Sequence, residues 1–375
     1  MEKSFVTTSS PKEQKRLATI DIIRIFLTLT ILALHSGNAI LMADATQPPI
    51  NGQCMGGYLA CEAFYMISGF FLAKTAYKSD APKTGPYIFR KLWNYVPALL
   101  IAVLLAFIPS CVVCIMYMKP DFWPMLYVLA PTWFMWFMFL SGLVLYPLLK
   151  KWKDKVSIIG VILAFGMFVA LYFMNGQVNY NVQGGDPFWK LGIYGFFTSF
   201  FRSTGGMLFG AFMHTCYLKF KDKYIPMGIR IALTVIGFAA AFTSYWFTYA
   251  APCTVWDFMV VGMYFVFFYI VLTNIGALAR KITLPNKICN GISKWSLYAY
   301  TGQYVIVGFM AVINKNDGVL NGALGNGGLL DFPSWWVVHF IVCMSAGIGM
   351  GFGLGALHKI VKDKLLIKCK KLNSI

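Results

Sequence analysis

Long apolar runs dominate this sequence and restrict what the chain can fold into. A run of about 20 apolar residues crosses a bilayer as a helix, because a helix satisfies its backbone polar groups within the segment. We place about ten such runs, at 17–42, 55–77, 88–118, 124–149, 156–175, 190–216, 228–250, 255–279, 291–313 and 333–358. The pattern therefore predicts an all-α, polytopic transmembrane bundle of about ten spans.

The composition agrees with a membrane protein and excludes an ordinary soluble domain. Charged residues make up 12% of the chain and hydrophobic residues 58%, whereas a soluble domain carries about 25% charged residues. The net charge of +18 is typical of nucleic-acid binding in a soluble protein. The positions of the basic residues along the sequence indicate whether the partner is a nucleic acid or a membrane.

The basic residues lie mainly on one side of the predicted bundle. Apart from Lys119, Lys190 and Lys315 in the opposite connections, and Arg24 and Arg202 within spans, every Lys and Arg falls on the side of the N-terminus. Cytoplasmic loops are enriched in Lys and Arg, so both termini are predicted to be cytoplasmic. The charge then indicates attraction to an anionic lipid bilayer, and we expect no nucleic-acid partner. The predicted organisation is a cytoplasmic segment at 1–16, a ten-span domain at 17–358 and a basic tail at 359–375.

The first apolar run carries three residue types that a lipid-facing helix excludes, namely Asp21, Arg24 and His35. Ionisable residues within a membrane are costly, and they generally face a cavity or a partner. Arg24 and His35 fall on one helical face about 16 Å apart, and Asp21 lies one turn before Arg24, where the two can pair. An imidazole can act as a general base, and a fixed guanidinium can stabilise an oxyanion or bind a phosphate. The alternative is that Asp21 and Arg24 anchor the helix at the interface and that His35 touches water at its end.

Two further stretches carry polar residues at informative places. Glu62 is a second intramembrane carboxylate, and Ser68 with the following glycine permits close helix packing, which is also the plain alternative for this stretch. Arg90 and Lys91 begin the third run, where a positive-inside anchor explains them equally well. The spacing of the four histidines indicates no metal site.

The order of these motifs is more informative than any one of them. Asp21-x-x-Arg24, with His35 eleven residues after the arginine, is followed by Phe64-Tyr-Met-Ile-Ser-Gly-Phe-Phe-Leu72 and then by Arg90-Lys-x-x-Asn-x-x-Pro97. This order resembles the bacterial acyltransferase-3 family of integral membrane O-acyltransferases. Further segments are similar to the family's in the same order, and they contain Trp133, Arg202 with Gly210, and Ser296 to Gln303 with Tyr300.

The resemblance implies a multi-pass enzyme of the bacterial cytoplasmic (inner) membrane. Such an enzyme transfers an acyl group, usually acetyl, from cytoplasmic acyl-CoA to a hydroxyl of an extracytoplasmic glycan or cell-envelope acceptor. Acyl-CoA, with acetyl-CoA first, is thus the expected co-substrate, and no metal is expected. Carried over by position, His35 and its partner Arg24 on the same helix are the expected catalytic residues. Arg90, Lys91 and Arg202 are the expected donor-binding residues.

The sequence departs from the family pattern at two positions. Asn94 stands where the family often has a second arginine, and Gln303 stands where it often has a histidine. Gln303 cannot carry a proton, so His35 is left as the expected base. Asp21, Glu62 and Ser68 complete the supporting residues. Nothing in the sequence indicates an oligomeric state.

A transporter or flippase for a glycan, lipid or small solute is the alternative function. In that case Arg24, Glu62 and Arg202 would line a polar pathway, and internal repeats would be expected. No such repeat is visible in the sequence.

Overall fold

The structure is a computed structural model, and it describes residues 18–41, 57–117, 133–175, 192–250, 257–277, 285–315, 341 and 344–360. All regular elements within these residues are helices. They are α1 (Ala18–Leu41), α2 (Gly57–Ala76), α3 (Thr84–Tyr117), α4 (Trp133–Trp152), α5 (Asp154–Asn175), α6 (Gly192–Phe220), α7 (Met227–Ala250), α8 (Asp257–Leu272) and α9 (Asn286–Lys315), followed by α10 at 344–360.

Each predicted apolar run overlaps one of these helices, with ends that differ by several residues, so the all-α fold class is confirmed. Four of the described helices are both long and apolar enough to cross a membrane, through Thr84–Leu105, Phe134–Trp152, Asp154–Leu171 and Met227–Phe247. Large apolar side chains on α5 and α7, such as Ile162 and Phe242, are exposed on the outer surface, as expected where lipid covers a protein. The total of ten spans and the cytoplasmic position of both termini stay predictions.

Helix α6 lies at the centre of the described bundle and packs most extensively on α2 and α5. Two glycines make its contact with α2 close. A Cβ at Gly69 would overlap the carbonyl oxygen of Met207, and a Cβ at Gly210 would overlap the carbonyl oxygen of Met66. The two backbones therefore touch, which is the small-residue packing of membrane helices.

The other helices surround this centre. Helix α1 packs on α9 and α2, α3 packs on α9, and α7 pairs with α8. Helix α4 packs on both α2 and α6. Its C-terminal end also holds the α2–α3 connection, since the Tyr146 hydroxyl donates to the carbonyl of Pro82 at 2.8 Å and Lys150 Nζ donates to that of Ala81 at 2.9 Å. These contacts fix where α3 begins.

Candidate functional site

A cavity of about 140 Å³ lies between α2, α3 and α4 and reaches Arg24 of α1 and Met207 of α6. Charged, hydroxyl-bearing and tyrosine side chains form one part of its wall, and the rest is almost wholly apolar. The polar and tyrosine members are Arg24, Ser68, Tyr87, Lys91 and Tyr95. A pocket of this kind accepts a ligand with a charged part and an apolar part.

Arg24 is held at the cavity wall from three helices. Its Nη1 donates to Asp21 Oδ1 at 3.1 Å, which confirms the predicted i, i+3 pair, and to Ser293 Oγ of α9 at 2.7 Å. The guanidinium carbon lies 5.0 Å from the centroid of the Phe71 ring on α2, a cation–π contact. Only 18% of the Arg24 side chain is exposed, so the guanidinium has a defined place rather than a range of solvated rotamers.

Lys91 reaches the same cavity from α3. Its Nζ lies 5.7 Å from the centroid of the Tyr87 ring, one turn earlier in the helix. Tyr87 is stacked on Tyr146 of α4, with the ring centroids 3.9 Å apart and the planes 2° from parallel. The stack supports the wall from which Lys91 projects.

The cavity carries more positive than negative charge. Arg24 and Lys91 both line it, and Asp21 is the carboxylate paired with Arg24. Among the described residues no carboxylate lies within 4.0 Å of Lys91 Nζ. Both cations are half-buried, so water screens their charges less than it would on an open surface. The arrangement therefore favours an anion.

The two neighbours in the Ser68-Gly69 pair have different tasks. Gly69 makes the close backbone contact with α6, as the packing interpretation of the sequence expects. Ser68 is half-buried, lines the cavity and donates from Oγ to the sulfur of Met138 at 3.0 Å.

Glu62 and Arg202 form a separate ionic site deeper between α2 and α6. Arg202 Nε donates to Glu62 Oε1, and the two side chains are 3% and 0% exposed. Neither residue lines the cavity that contains Arg24 and Lys91. The structure thus brings two of the predicted cations, Arg24 and Lys91, together and places Arg202 apart from them.

The remaining predicted residues are distributed as follows. Arg90 is exposed on α3 and does not line the cavity. Tyr300 is buried on α9, with its ring centroid 5.7 Å from that of Phe134. Four predicted residues lie in helices α1, α3, α4 and α9, but their side chains lie outside the described residues: His35, Asn94, Trp133 and Gln303.

Sequence reasoning missed several residues that build this site. Tyr87 precedes Lys91 by four residues, so helical spacing alone could have placed the two together. Ser293 gave no local signal, because it lies 269 residues from Arg24 along the chain. Tyr146 likewise reaches Tyr87 only through the packing of α3 on α4.

A sequence-family model described as an acyltransferase domain matches residues 17–354, which is nearly the whole chain. No curated protein matches the chain, and no solved structure does.

Proposed function

Because the chain belongs to the acyltransferase-3 family and is a multi-pass membrane acyltransferase, we propose the following reaction for it. It transfers an acyl group, acetyl in the first place, from cytoplasmic acyl-CoA to a hydroxyl of an extracytoplasmic glycan or other cell-envelope acceptor. The bacterial cytoplasmic membrane is its proposed location.

The observation that carries this proposal is the cationic cavity. Arg24 and Lys91 face one space of about 140 Å³ from α1 and α3. Coenzyme A has phosphates that pair with such cations and a pantetheine arm that fits against apolar side chains like those of Met135 and Leu143. The mixture of charge and apolar wall supports a donor of this type.

The resemblance implies a catalytic role for Arg24, and its chemistry allows either binding of a phosphate or stabilisation of an oxyanion. We assign it the first of these tasks, and its place at the cavity supports this assignment. Lys91 lines the same cavity as Arg24, as expected of two cations that bind the phosphates of one donor. His35 lies eleven residues further along α1, or about 16 Å by helical rise. An oxyanion formed beside His35 is too far from Arg24 for direct contact, so we assign Arg24 and Lys91 to the donor.

His35 is the proposed general base. Its neutral imidazole takes the proton of the acceptor hydroxyl as the oxygen attacks the thioester carbonyl. The carbon–sulfur bond then breaks, and the thiolate of coenzyme A leaves and takes up that proton from the imidazolium. The pantetheine arm separates the phosphates of the donor from its thioester. In this proposal the arm spans the distance along α1 from Arg24 to His35. Donor and acceptor then meet away from the face on which the donor enters.

The experiment is transfer of radiolabelled acetyl from acetyl-CoA to envelope glycans in membranes that contain the protein. His35→Ala should abolish transfer while the protein stays in the membrane. The matched control is His214→Ala, a buried histidine of α6 whose ring packs on Phe70 and Tyr77. It should retain transfer per mole of folded protein. Transfer by His35→Ala at the wild-type rate would refute the assignment of the base.

A second measurement tests the donor without the acceptor. Acetyl-CoA should raise the unfolding temperature of the purified protein in detergent, because a ligand that binds only the folded state stabilises it. A transporter of a glycan or solute should show no such shift.

A further inference from the structure

Arg24 is not fixed by its own helix alone. Asp21 lies one turn before Arg24 on α1, and an ion pair between neighbours on one helix still lets a long side chain swing. Ser293 projects from α9, so its contact with Arg24 joins two helices. The position of the guanidinium therefore depends on a residue outside the predicted motifs.

The three side chains form a closed set of hydrogen bonds. Arg24 Nη1 donates to Asp21 Oδ1 at 3.1 Å and to Ser293 Oγ at 2.7 Å. Ser293 uses its own proton to donate to Asp21 Oδ1, also at 3.1 Å. The hydroxyl thus accepts from the cation and donates to the carboxylate, which a methyl group in its place could not do.

A third contact joins the guanidinium to an aromatic ring of α2. The Phe71 ring of α2 lies 5.0 Å from the guanidinium carbon of Arg24, and both residues line the cavity. With Asp21 on α1, Ser293 on α9 and Phe71 on α2, three helices determine where the positive charge stands. Ser293 itself does not line the cavity, so it acts on a bound ligand only through Arg24.

We infer that Ser293 is a positioning residue for the donor site, holding Arg24 in the orientation that binds the anionic part of the acyl donor. This inference rests on the proposed function. It adds to that function a residue of α9 that anchors the donor-binding cation from across the bundle. The role requires a hydroxyl at this position, and threonine supplies one as well as serine does.

The test compares Ser293→Ala with Ser293→Thr in the full-length protein in detergent or lipid. Ser293→Ala leaves the contacts of Arg24 with Asp21 and Phe71 in place and removes the hydroxyl that joins Arg24 and Asp21 to α9. A hydrogen bond to a charged group is strong enough that its loss should raise KM for acetyl-CoA about tenfold or more. Because Ser293 touches neither reacting group, kcat should stay near the wild-type value. Ser293→Thr should keep KM within about twofold of wild type.

The matched control is Ser296→Ala, the same substitution three residues further along α9. Ser296 is buried, and its Oγ has no hydrogen-bond partner among the described residues. This variant should leave both KM and kcat unchanged. The unfolding midpoint of each variant, measured without ligand, reports whether a change in KM reflects a general loss of packing.

The outcomes separate this inference from the function on which it rests. If wild-type protein neither binds nor uses acetyl-CoA, the proposed function fails and the inference fails with it. If wild type uses acetyl-CoA and Ser293→Ala has the same KM, only the inference is overturned. The inference is also overturned if Ser293→Ala lowers kcat while its KM for acetyl-CoA stays at the wild-type value. The same holds if Ser293→Thr or Ser296→Ala raises KM as much as Ser293→Ala does.

Discussion

Replacement of Glu62 by glutamine tests the buried ion pair that joins α2 to α6. The Glu62 and Arg202 side chains are 0% and 3% exposed, and Arg202 Nε donates to the carboxylate. Glutamine keeps the shape of the side chain and removes its charge, so the guanidinium stays buried without a counter-charge from Glu62. Breaking a buried pair in this way costs about 3–5 kcal/mol.

That cost corresponds to an unfolding equilibrium constant about a hundredfold to a few thousandfold larger than in wild type. It is measured by titrating the purified protein from mild detergent into denaturing detergent, with loss of tertiary structure as the signal. The double variant Glu62→Leu, Arg202→Met replaces both charges by apolar side chains. It should recover most of the lost stability, because a packed apolar pair is often as stable as a buried ion pair.

The control is Asp222→Asn, which breaks the exposed pair of Lys221 and Asp222, whose side chains are 45% and 85% exposed. Surface pairs contribute little to stability, so this variant should unfold almost as wild type does. If Glu62→Gln shifts unfolding no more than Asp222→Asn, the pair between α2 and α6 is not desolvated and the reasoning is refuted. A double variant less stable than Glu62→Gln would contradict it as well.

Three further predictions concern the packing of the bundle and the cavity. Gly210→Ala should lower the folded yield strongly, because a Cβ there overlaps a backbone carbonyl of α2. The control, Gly166→Ala, should fold normally, because nothing lies within 4 Å of a Cβ at that position. Equal folded yields of the two variants would contradict the close contact between α2 and α6. For Lys91→Met, about tenfold more acetyl-CoA should be needed to give the same rise in unfolding temperature. Arg90→Met should require a smaller increase, because Arg90 does not line the cavity. A larger effect of Arg90→Met than of Lys91→Met would contradict the placement of the donor in this cavity. Tyr146→Phe keeps the aromatic stack but loses the hydrogen bond to the α2–α3 connection. Chemical unfolding should therefore show a stability loss of about 0.5–1.5 kcal/mol. If Tyr146→Ala loses no more stability than Tyr146→Phe does, the stack contributes nothing.

The helices and one contact of the site could be predicted from the sequence because they depend on local properties. Long apolar runs specify helices wherever they occur, since backbone groups in an apolar surrounding must bond within the segment. The pair of Asp21 and Arg24 follows from helical spacing, which is fixed at 3.6 residues per turn. The family resemblance has the same local basis, because it depends on short motifs in a fixed order.

The partner of Arg202 illustrates what local properties leave open. The sequence shows that a buried arginine needs an anion or an equivalent partner, because an unpaired charge in the interior is costly. It does not show whether that partner is a donor phosphate or a side chain 140 residues away. The structure pairs Arg202 with Glu62, and it places Lys91, which a topology anchor explained equally well, beside Arg24 at the cavity.

The sequence by itself thus determined that this chain is a helical membrane protein with a few charges inside its spans, and that Asp21 and Arg24 share one helix face. Only the tertiary structure decided which of those charges meet, and that Ser293 joins the first pair. The physical reason is that contacts between helices depend on the rotation and depth of each helix. These are set by the close packing of residues such as Gly69 and Gly210, and not by the sequence around the charge.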